Sequence, residues 1–268
     1  MLPTYAGLAP PITALVLGSQ PIEGQAPHYM KIPGAVPGSR IIAVDEHAGD
    51  EYPEGWEFCP AVIGRRTETR PFYRGESSLV SSLYEMNWPF LNRYSWAGEL
   101  STAHVEQVET IGLDEFTDGK RPIHFLAADI QGAEGEAFES GTKTLADVLM
   151  VQVEVGYSPI YLDAPLWRDI DAILGAQGFG LYHTLGGAIR PEFLHFSPDH
   201  PSDGRWMWGE AVYVRDDMDA LSRDDLLRFA TLAHLYDYLT LAASCLHRVA
   251  GVHAAMGYLE AARAARKA

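Results

Sequence analysis

The sequence contains little cysteine, no long apolar run and no basic segment at its start. The only two cysteines among 268 residues are Cys59 and Cys245, and their separation matches no zinc or redox motif, so both are interpreted as buried structural thiols. No stretch reaches the roughly 18 consecutive apolar residues that a membrane span requires. The N-terminal segment also lacks the basic region of a signal peptide. We therefore expect a cytoplasmic protein that does not bind a membrane.

Positive charge is also scarce. The 36 acidic residues outnumber the 20 lysines and arginines, which gives a net charge of −16. A surface with this excess repels phosphate backbones, so we expect no nucleic-acid partner. A hydrophobic content of 47% excludes a disordered chain, and the length allows one large domain or two small ones.

What the sequence does contain is a series of short apolar runs, several of which end in an acid or a glycine. We interpret these runs as buried strands. Helix-like stretches lie between some of them, at 133–139 and 166–174. This alternation predicts an α/β fold with a mostly parallel, twisted sheet flanked by helices. The predicted strands are residues 12–17, 40–45, 58–63, 105–111, 123–129, 149–155, 179–184 and 209–215.

The C-terminal part of the chain has a different pattern. From Leu221 to Arg266, leucine, alanine and aromatic residues recur at helical spacing, and Ser222 with Asp225 resembles a capping box. Gly251 is predicted to divide this stretch into two helices. We therefore predict a domain over residues 1–216 and a C-terminal helical extension over 217–268. The extension could pack on its own domain or form a homo-oligomer contact, and the sequence leaves both open.

The most informative local string is Asp129-Ile130-Gln131-Gly132-Ala133-Glu134. Asp129 ends a predicted strand, so its carboxylate is expected in the crevice at the sheet edge, where ligands bind in open α/β sheets. Gly132 allows a tight turn. Glu134 lies in the first helical turn, where the helix dipole favours a negative charge. Glu134 is interpreted as a helix-start acid, whereas Asp129 is either a turn acid or a group that serves catalysis, substrate or metal.

This string resembles the D-[VI]-[QE]-G-A-E signature of FkbM-type S-adenosylmethionine-dependent methyltransferases. Later segments are also similar to the family, namely Val151–Val155, Pro159–Tyr161 and Pro165–Trp167, and Ser77–Leu79 resembles its serine-containing loop. The similarity covers roughly residues 40–215. The resemblance implies a Rossmann-like class I methyltransferase fold, S-adenosylmethionine as cofactor, and an O-methyltransferase that acts on a hydroxyl of a small metabolite or sugar.

The resemblance also indicates which residues would hold the cofactor. Gly18 stands where the family has the first glycine of its loop, although the preceding acid is missing and the next glycine, Gly24, comes six residues later instead of four. Asp45 ends the second predicted strand, and its two oxygens suit the hydroxyls of a ribose. Ser78 is expected near the adenine or the carboxylate end of the cofactor, and Asp129 is a further candidate contact.

Methylation of a hydroxyl benefits from a base, because the oxygen becomes a better nucleophile as its proton leaves. The candidates are Asp129, Glu154, His183 and His195. Glu154 ends the strand that is predicted to lie beside the Asp129 strand, so the two carboxylates could share one crevice. Such a pair raises the pKa of one of its members and would also suit Mg²⁺, although no metal-ligand motif is assigned. The aromatic segments 84–96 and 206–208 are candidate walls or a lid for a small-molecule substrate.

Two functions of different kinds stay open. The first is the methyltransferase described above. The second is a catalytically degenerate relative that keeps the fold as a binding or assembly module, which the altered glycine loop and Ala127, where the family has lysine, both favour. This second function predicts a cofactor crevice that stays empty or is filled by side chains. An NAD-dependent oxidoreductase is disfavoured because no G-x-G-x-x-G follows the first strand.

Overall fold

A seven-stranded sheet forms the centre of the molecule. In this computed structural model, the described residues are 9–19, 27–47, 52–94, 96–97, 100–191 and 204–266. The strands in chain order are β1 (Thr13–Leu17), β2 (Arg40–Asp45), β3 (Trp56–Pro60), β4 (Val62–Gly64), β5 (Glu68–Gly75), β6 (Thr102–Gly112), β7 (Phe125–Ala128), β8 (Met150–Gly156), β9 (Phe179–Arg190) and β10 (Arg205–Arg215).

The helices are short except at the C-terminal end of the chain. None of the helices in the described ranges combines the length and apolar character that crossing a bilayer requires. The helices in chain order are α1 (Ile32–Ala35), α2 (Trp88–Leu91), α3 (Leu113–Phe116), α4 (Glu134–Ser140), α5 (Thr142–Asp147), α6 (Trp167–Gly175), α7 (Arg223–Leu235) and α8 (Leu239–Ala265), with 3₁₀ turns at His28–Lys31, Ser78–Val80 and Met218–Ala220.

The strand order of the central sheet is β3-β2-β1-β7-β8-β10-β9. The first five strands of this order are parallel, and β10 runs antiparallel between β8 and β9. The carboxyl ends of the parallel strands therefore lie at one edge, and the order reverses between β1 and β7. Open α/β sheets bind ligands at this kind of reversal. The predicted α/β fold with a mostly parallel sheet is confirmed.

The single strand predicted at 58–63 is instead two strands in two sheets. β3 joins the central sheet, whereas β4 pairs with β6 in a separate sheet of order β4-β6-β5, here called the inserted sheet. The chain leaves the central sheet at Ala61, whose N–H donates to the carbonyl of Asp45 at 3.0 Å. An apolar run does not encode which partner each half takes, so the prediction merged them.

The two faces of the central sheet are covered by different helices. Because side chains alternate along a strand, Leu15 and Leu17 of β1 pack toward α3, α4, α5 and α6. Val16, between them, faces the opposite side, where it joins a cluster with residues of α7 and α8. Phe229 of α7 is fully buried in that cluster. The C-terminal helices thus pack on the sheet itself, while the boundary between residues 216 and 217 stays a prediction.

The C-terminal helices are interrupted at two places. α7 ends at Leu235 and α8 begins at Leu239, a break that the helical spacing did not reveal. Gly251 has φ 81° and ψ 177°, which is not helical, so the predicted interruption there is confirmed. The predicted cap is also present, because the Asp225 N–H donates to Ser222 Oγ at 3.1 Å.

Candidate functional site

A cavity of about 640 Å³ lies at the carboxyl edge of the central sheet. Its lining includes Gly18, Asp45, Asp129 and Glu154, which lie at or near the carboxyl ends of β1, β2, β7 and β8. Four of the residues singled out in the sequence therefore meet around one space. Small-molecule sites in proteins typically measure about 300–1,000 Å³, so the cavity has room for a ligand of that class.

Gly18 allows the ends of β1 and β7 to approach closely. Its φ is +74°, and a Cβ added there would lie 1.8 Å from the carbonyl oxygen of Asp129. Only glycine tolerates both conditions without strain. Asp45, at the end of neighbouring β2, is partly buried, and its Oδ1 accepts the N–H of Glu46 at 2.8 Å.

The inserted sheet covers the Asp45 end of the cavity. Arg74 of β5 lines the cavity and forms ion pairs with Glu46, which follows β2, and with Glu106 of β6. These pairs connect the inserted sheet to the end of β2. Leu79, in the 3₁₀ turn that begins at Ser78, also lines the cavity. The side chain of Ser78 itself lies outside the described part of the structure.

Asp129 and Glu154 form a hydrogen-bonded carboxyl pair. Their side chains bond to each other, and Gln131 Nε2 donates to Asp129 Oδ1 at 2.7 Å and to Glu154 Oε2 at 3.1 Å. A bond between two carboxyls requires one proton. Burial and the charge of Asp129 raise the pKa of Glu154 well above its ordinary value. Of the two acids, Glu154 is therefore the one whose charged form is disfavoured more strongly.

The pKa of Asp129 is also raised. Burial is the largest cause and the charge of Asp45 adds to it, whereas the hydrogen bonds from Gln131 and Glu154 act in the opposite direction. Both acids line the cavity and therefore face the same region. A largely buried carboxylate with a raised pKa is suited to accept a proton near neutral pH.

Gln131 is held in the orientation that bridges the pair. Tyr161 Oη donates to its side-chain oxygen at 2.8 Å, so the amide NH₂ group faces the two carboxyls. Ser82 Oγ donates to its backbone carbonyl at 2.6 Å. The backbone of Gln131 has a φ of 54°, in the left-handed region that few residues other than glycine adopt. Sequence reasoning assigned Gln131 no role of its own, although its place in the signature string was the available signal.

Glu134 fixes the loop that carries Gln131. Its Oε1 accepts the N–H of Ile130 at 2.7 Å and its Oε2 accepts the N–H of Gly132 at 3.0 Å. Burial raises the pKa of Glu134 to about 8, although these backbone donors favour its charged form. Glu134 is also the first residue of α4, so its predicted position at a helix start is confirmed.

Glu210 is a third carboxyl at the site, and sequence reasoning missed it. It lies opposite Glu154 in the antiparallel pairing of β10 with β8, and it lines the cavity. Gln152 Nε2 donates to Glu210 Oε2 at 2.8 Å, and Tyr236 Oη donates to Gln152 Oε1 at 2.6 Å. Burial raises the pKa of Glu210 to about 7. Glu210 reaches the carboxyl edge because β10, the last strand of the chain, runs antiparallel to β8.

The structure does not bring His183 to the carboxyl pair. His183 is exposed on β9, where its ring lies edge-on to Tyr238 with 5.6 Å between ring centroids. It is absent from the described residues that line the cavity. His195 and Gly24 lie outside the described residues.

The expectation of a Mg²⁺ site is not supported. Among the residues that the structure describes, no group of three or more His, Cys, Asp or Glu side chains is placed to hold a metal ion. The physical reason lies in the pair itself. Asp129 and Glu154 share a proton and both accept from the Gln131 amide, so their oxygen atoms face donors instead of a cation.

The two aromatic segments meet at the opposite end of the cavity. Trp96 and Trp208 both line it, with their ring centroids 5.8 Å apart and their planes tilted by 57°. They belong to one cluster with Phe90, Tyr94 and Met207. This set of five residues is called the aromatic wall below.

Comparison with known proteins identifies the family of this chain. The family model for the methyltransferase FkbM domain matches residues 34–181, more than half of the chain. No curated protein matches the chain. Among solved structures, Sp1610 of Streptococcus pneumoniae, a candidate tRNA (m1A22) methyltransferase, shares 12% identity at a TM-score of 0.37, over 98% of this chain and 95% of that one. A similarity at that level supports no conclusion about this chain.

Proposed function

The chain belongs to the methyltransferase FkbM family, and from that membership we propose that it is an S-adenosylmethionine-dependent O-methyltransferase acting on a hydroxyl of a small molecule. The observation that carries the proposal is the proton-sharing pair of Asp129 and Glu154, which lines the same cavity as Asp45. In this proposal, a general base and a ribose-binding acid lie around one space of suitable size.

The residues near β1 and β2 fit the cofactor that the family implies. Asp45 presents carboxylate oxygens where a nucleoside ribose binds in such sheets. Ala61, Val62 and Ile63 line the cavity after β3 and would contact an adenine ring. Gly18 lines the cavity at the end of β1 and would lie beside the cofactor. When bound, S-adenosylmethionine supplies a methyl group on a positively charged sulfur.

Asp129 is assigned the role of base. Its carboxylate accepts the proton of the acceptor hydroxyl as that oxygen becomes the nucleophile. Glu154 keeps its own proton throughout and holds Asp129 by the hydrogen bond between them. Gln131 orients both groups, and Tyr161 orients Gln131. Positioning of the acceptor within the cavity supplies a further part of the rate.

The lining of the cavity favours this function over the degenerate module. That alternative predicts a crevice that stays empty or is filled by side chains, and the space of about 640 Å³ beside the carboxyls argues only against filling. The acid-rich lining also suits a cationic sulfonium. A chain that had lost catalysis would have no need to keep Asp129 beside a second, protonated carboxyl in that space.

Calorimetric titration with S-adenosylmethionine and with S-adenosylhomocysteine tests the cofactor. We expect affinity in the micromolar range, weakened roughly 10- to 100-fold in Asp45→Ala because hydrogen bonds to a charged group are lost. Glu54→Ala, an exposed acid in the turn before β3, is the matched control and should bind like the wild type. Absence of heat with both ligands would contradict the proposal.

Transfer of a tritium-labelled methyl group tests the reaction. A panel of hydroxylated small molecules is incubated with the protein and labelled S-adenosylmethionine, and the product is exposed to mild base. A methyl ether survives that treatment, whereas a methyl ester releases its label. Label that is recovered only as an ester or on nitrogen would contradict methylation of a hydroxyl.

A further inference from the structure

We propose that Arg190, set in the aromatic wall, forms an oxyanion subsite that binds a carboxylate or phosphate group of the methyl acceptor. The inference rests on the proposed function, because it names the chemical class of the acceptor. It identifies the substrate as a hydroxylated organic anion. The group that is bound at Arg190 is distinct from the hydroxyl that would be methylated.

The position of Arg190 is defined by two aromatic rings. Its Cζ atom lies 5.2 Å from the ring centroid of Trp96 and 5.2 Å from that of Trp208. All three residues line the cavity. A guanidinium held between two indole rings by cation–π attraction loses little further freedom when it binds a ligand. The charge is thus fixed in place before the ligand arrives.

Arg190 keeps most of its hydrogen-bonding capacity for a ligand. Its Nη1 donates to the carbonyl of Ile189 at 3.1 Å, and within the described ranges no carboxylate forms an ion pair with it. Arg74, another arginine in the lining, is paired with Glu46 and Glu106. A guanidinium has five N–H donors in a plane that matches the oxygens of a carboxylate or phosphate. Among the lining residues that the structure describes, Arg190 is therefore the cation that is available to an anion.

The charges in the cavity are separated along its length. Asp129, Glu154 and Glu210 lie at the ends of β7, β8 and along β10, whereas Arg190 lies at the aromatic wall. Along β10, Glu210 is paired with Glu154, whereas Trp208, two residues earlier, is paired with Gly156. Two residues of a strand span about 7 Å, so Trp208 and Glu210 are that far apart along β10. The acceptor would therefore place its anionic group toward the aromatic wall and its hydroxyl toward Asp129.

Binding of matched acid and amide probes tests the subsite. The full chain is titrated with 4-hydroxybenzoate, with neutral 4-hydroxybenzamide and with phenyl phosphate, with and without saturating S-adenosylhomocysteine. Calorimetry gives the affinity, and tryptophan fluorescence reports on Trp96 and Trp208. We expect 4-hydroxybenzoate, the acid, to bind at least about tenfold more tightly than 4-hydroxybenzamide, the amide, since a charge-assisted hydrogen bond is gained. Whichever of 4-hydroxybenzoate and phenyl phosphate binds with the higher affinity identifies the oxyanion that the subsite prefers.

Variants assign the preference to Arg190. In Arg190→Gln the ratio of acid to amide affinity should fall to about one, and Arg190→Lys should restore part of it. The control is Arg93→Gln, because Arg93 also packs on rings of the aromatic wall, Phe90 and Tyr94, but does not line the cavity. Thermal melting checks that each variant is folded.

The outcomes separate this inference from the proposed function. A wild type that binds the amide as tightly as the acid would overturn the subsite, and so would a preference that persists in Arg190→Gln. If S-adenosylhomocysteine binds while the acid shows no preference, the subsite alone fails. If the acid preference depends on Arg190 but neither S-adenosylhomocysteine nor S-adenosylmethionine binds, the subsite stands and the methyltransferase proposal fails.

Discussion

The carboxyl edge of the central sheet and the face beneath α7 and α8 are built from the same strands, but their side chains differ in kind. At the edge, Asp129 and Glu154 are linked by hydrogen bonds and share a proton. On the face, Phe229 packs in an apolar cluster. Gln152 connects the two, because it contacts both Glu210 and Tyr236. Under the proposed function, reactivity and stability reside in separate parts of the sheet, so substitutions should divide between them.

The largest effect is expected for Asp129→Asn, which removes the base while keeping the shape of the side chain. The rate of methyl transfer should fall about 10²- to 10⁴-fold, and the affinity for S-adenosylhomocysteine should change little. Initial rates with saturating acceptor and calorimetry measure the two quantities. Asp118→Asn, at an exposed turn, should retain full activity. A fully active Asp129→Asn variant would show that the edge does not supply the base.

Phe229→Ala tests the other side of the comparison. Phe229 has no exposed surface, so its truncation should lower the free energy of unfolding by about 3–5 kcal/mol. Urea denaturation measures the change, and exposed Arg223→Ala is the control. The rate of methyl transfer under conditions where the variant stays folded should be close to that of the wild type. A loss below about 1 kcal/mol would instead indicate that 217–268 is an extension that contributes little to the core.

Glu210 lies where the two regions meet, and Glu210→Gln should change how the free energy of unfolding depends on pH. Burial raises the pKa of Glu210 from its ordinary 4.5 to about 7, so the folded protein binds more protons between these values. The stability this group contributes is present below pH 4.5 and is lost as the pH rises to about 7. Glutamine cannot ionise, so the variant should gain about 1–3 kcal/mol relative to the wild type between about pH 5 and pH 8.

Urea denaturation of the wild type and the variant at about pH 5 and about pH 8 measures this gain in the free energy of unfolding. For Glu260→Gln, at an exposed position on α8, the gain should be near zero. An equal effect of Glu210→Gln at both pH values would mean that the carboxyl stays ionised throughout, and that the edge and the face are not connected by its burial.

The smallest effect is expected for Gln131→Asn, which shortens the amide that bridges the pair but still tolerates the left-handed backbone. Loss of its hydrogen bond removes an influence that lowers the pKa of Asp129, so this pKa should rise further. The base must be ionised to act, so the rising part of the pH–rate profile should move to higher pH. On that rising part, the rate at a fixed pH should fall roughly tenfold if the pKa of Asp129 increases by about 1.

Tyr161→Phe is the companion variant for Gln131→Asn. It keeps the amide and removes the hydroxyl that orients it, so it should move the profile in the same direction by a smaller amount. A uniform loss of rate at all pH values in both variants would indicate that Gln131 only supports the loop.

The parts of the site that could be predicted from sequence are those that depend on contiguous residues. Buried parallel strands need unbroken apolar runs, and the residue after each run lies at the carboxyl edge, which placed Asp45 and Asp129 correctly. Glu210 and the inserted sheet depend on strand direction and pairing, which a local pattern does not contain. His183 was chosen for its chemistry, but its partner Val212 faces the C-terminal helices. In the sequence, Arg190 looks like any charged residue at the end of an exposed strand. Its contacts with Trp96 and Trp208 depend on the tertiary structure.

The contact between Gly18 and Asp129 affects how activity measurements on this chain are interpreted. A side chain at position 18 would overlap the Asp129 carbonyl oxygen and displace the proposed general base. An inactive Gly18→Ala enzyme would therefore reveal nothing about nucleotide binding, because misalignment of the proton acceptor alone accounts for the loss. In this chain, the glycine after the first strand is as much a spacer for the base as a contact for a ligand.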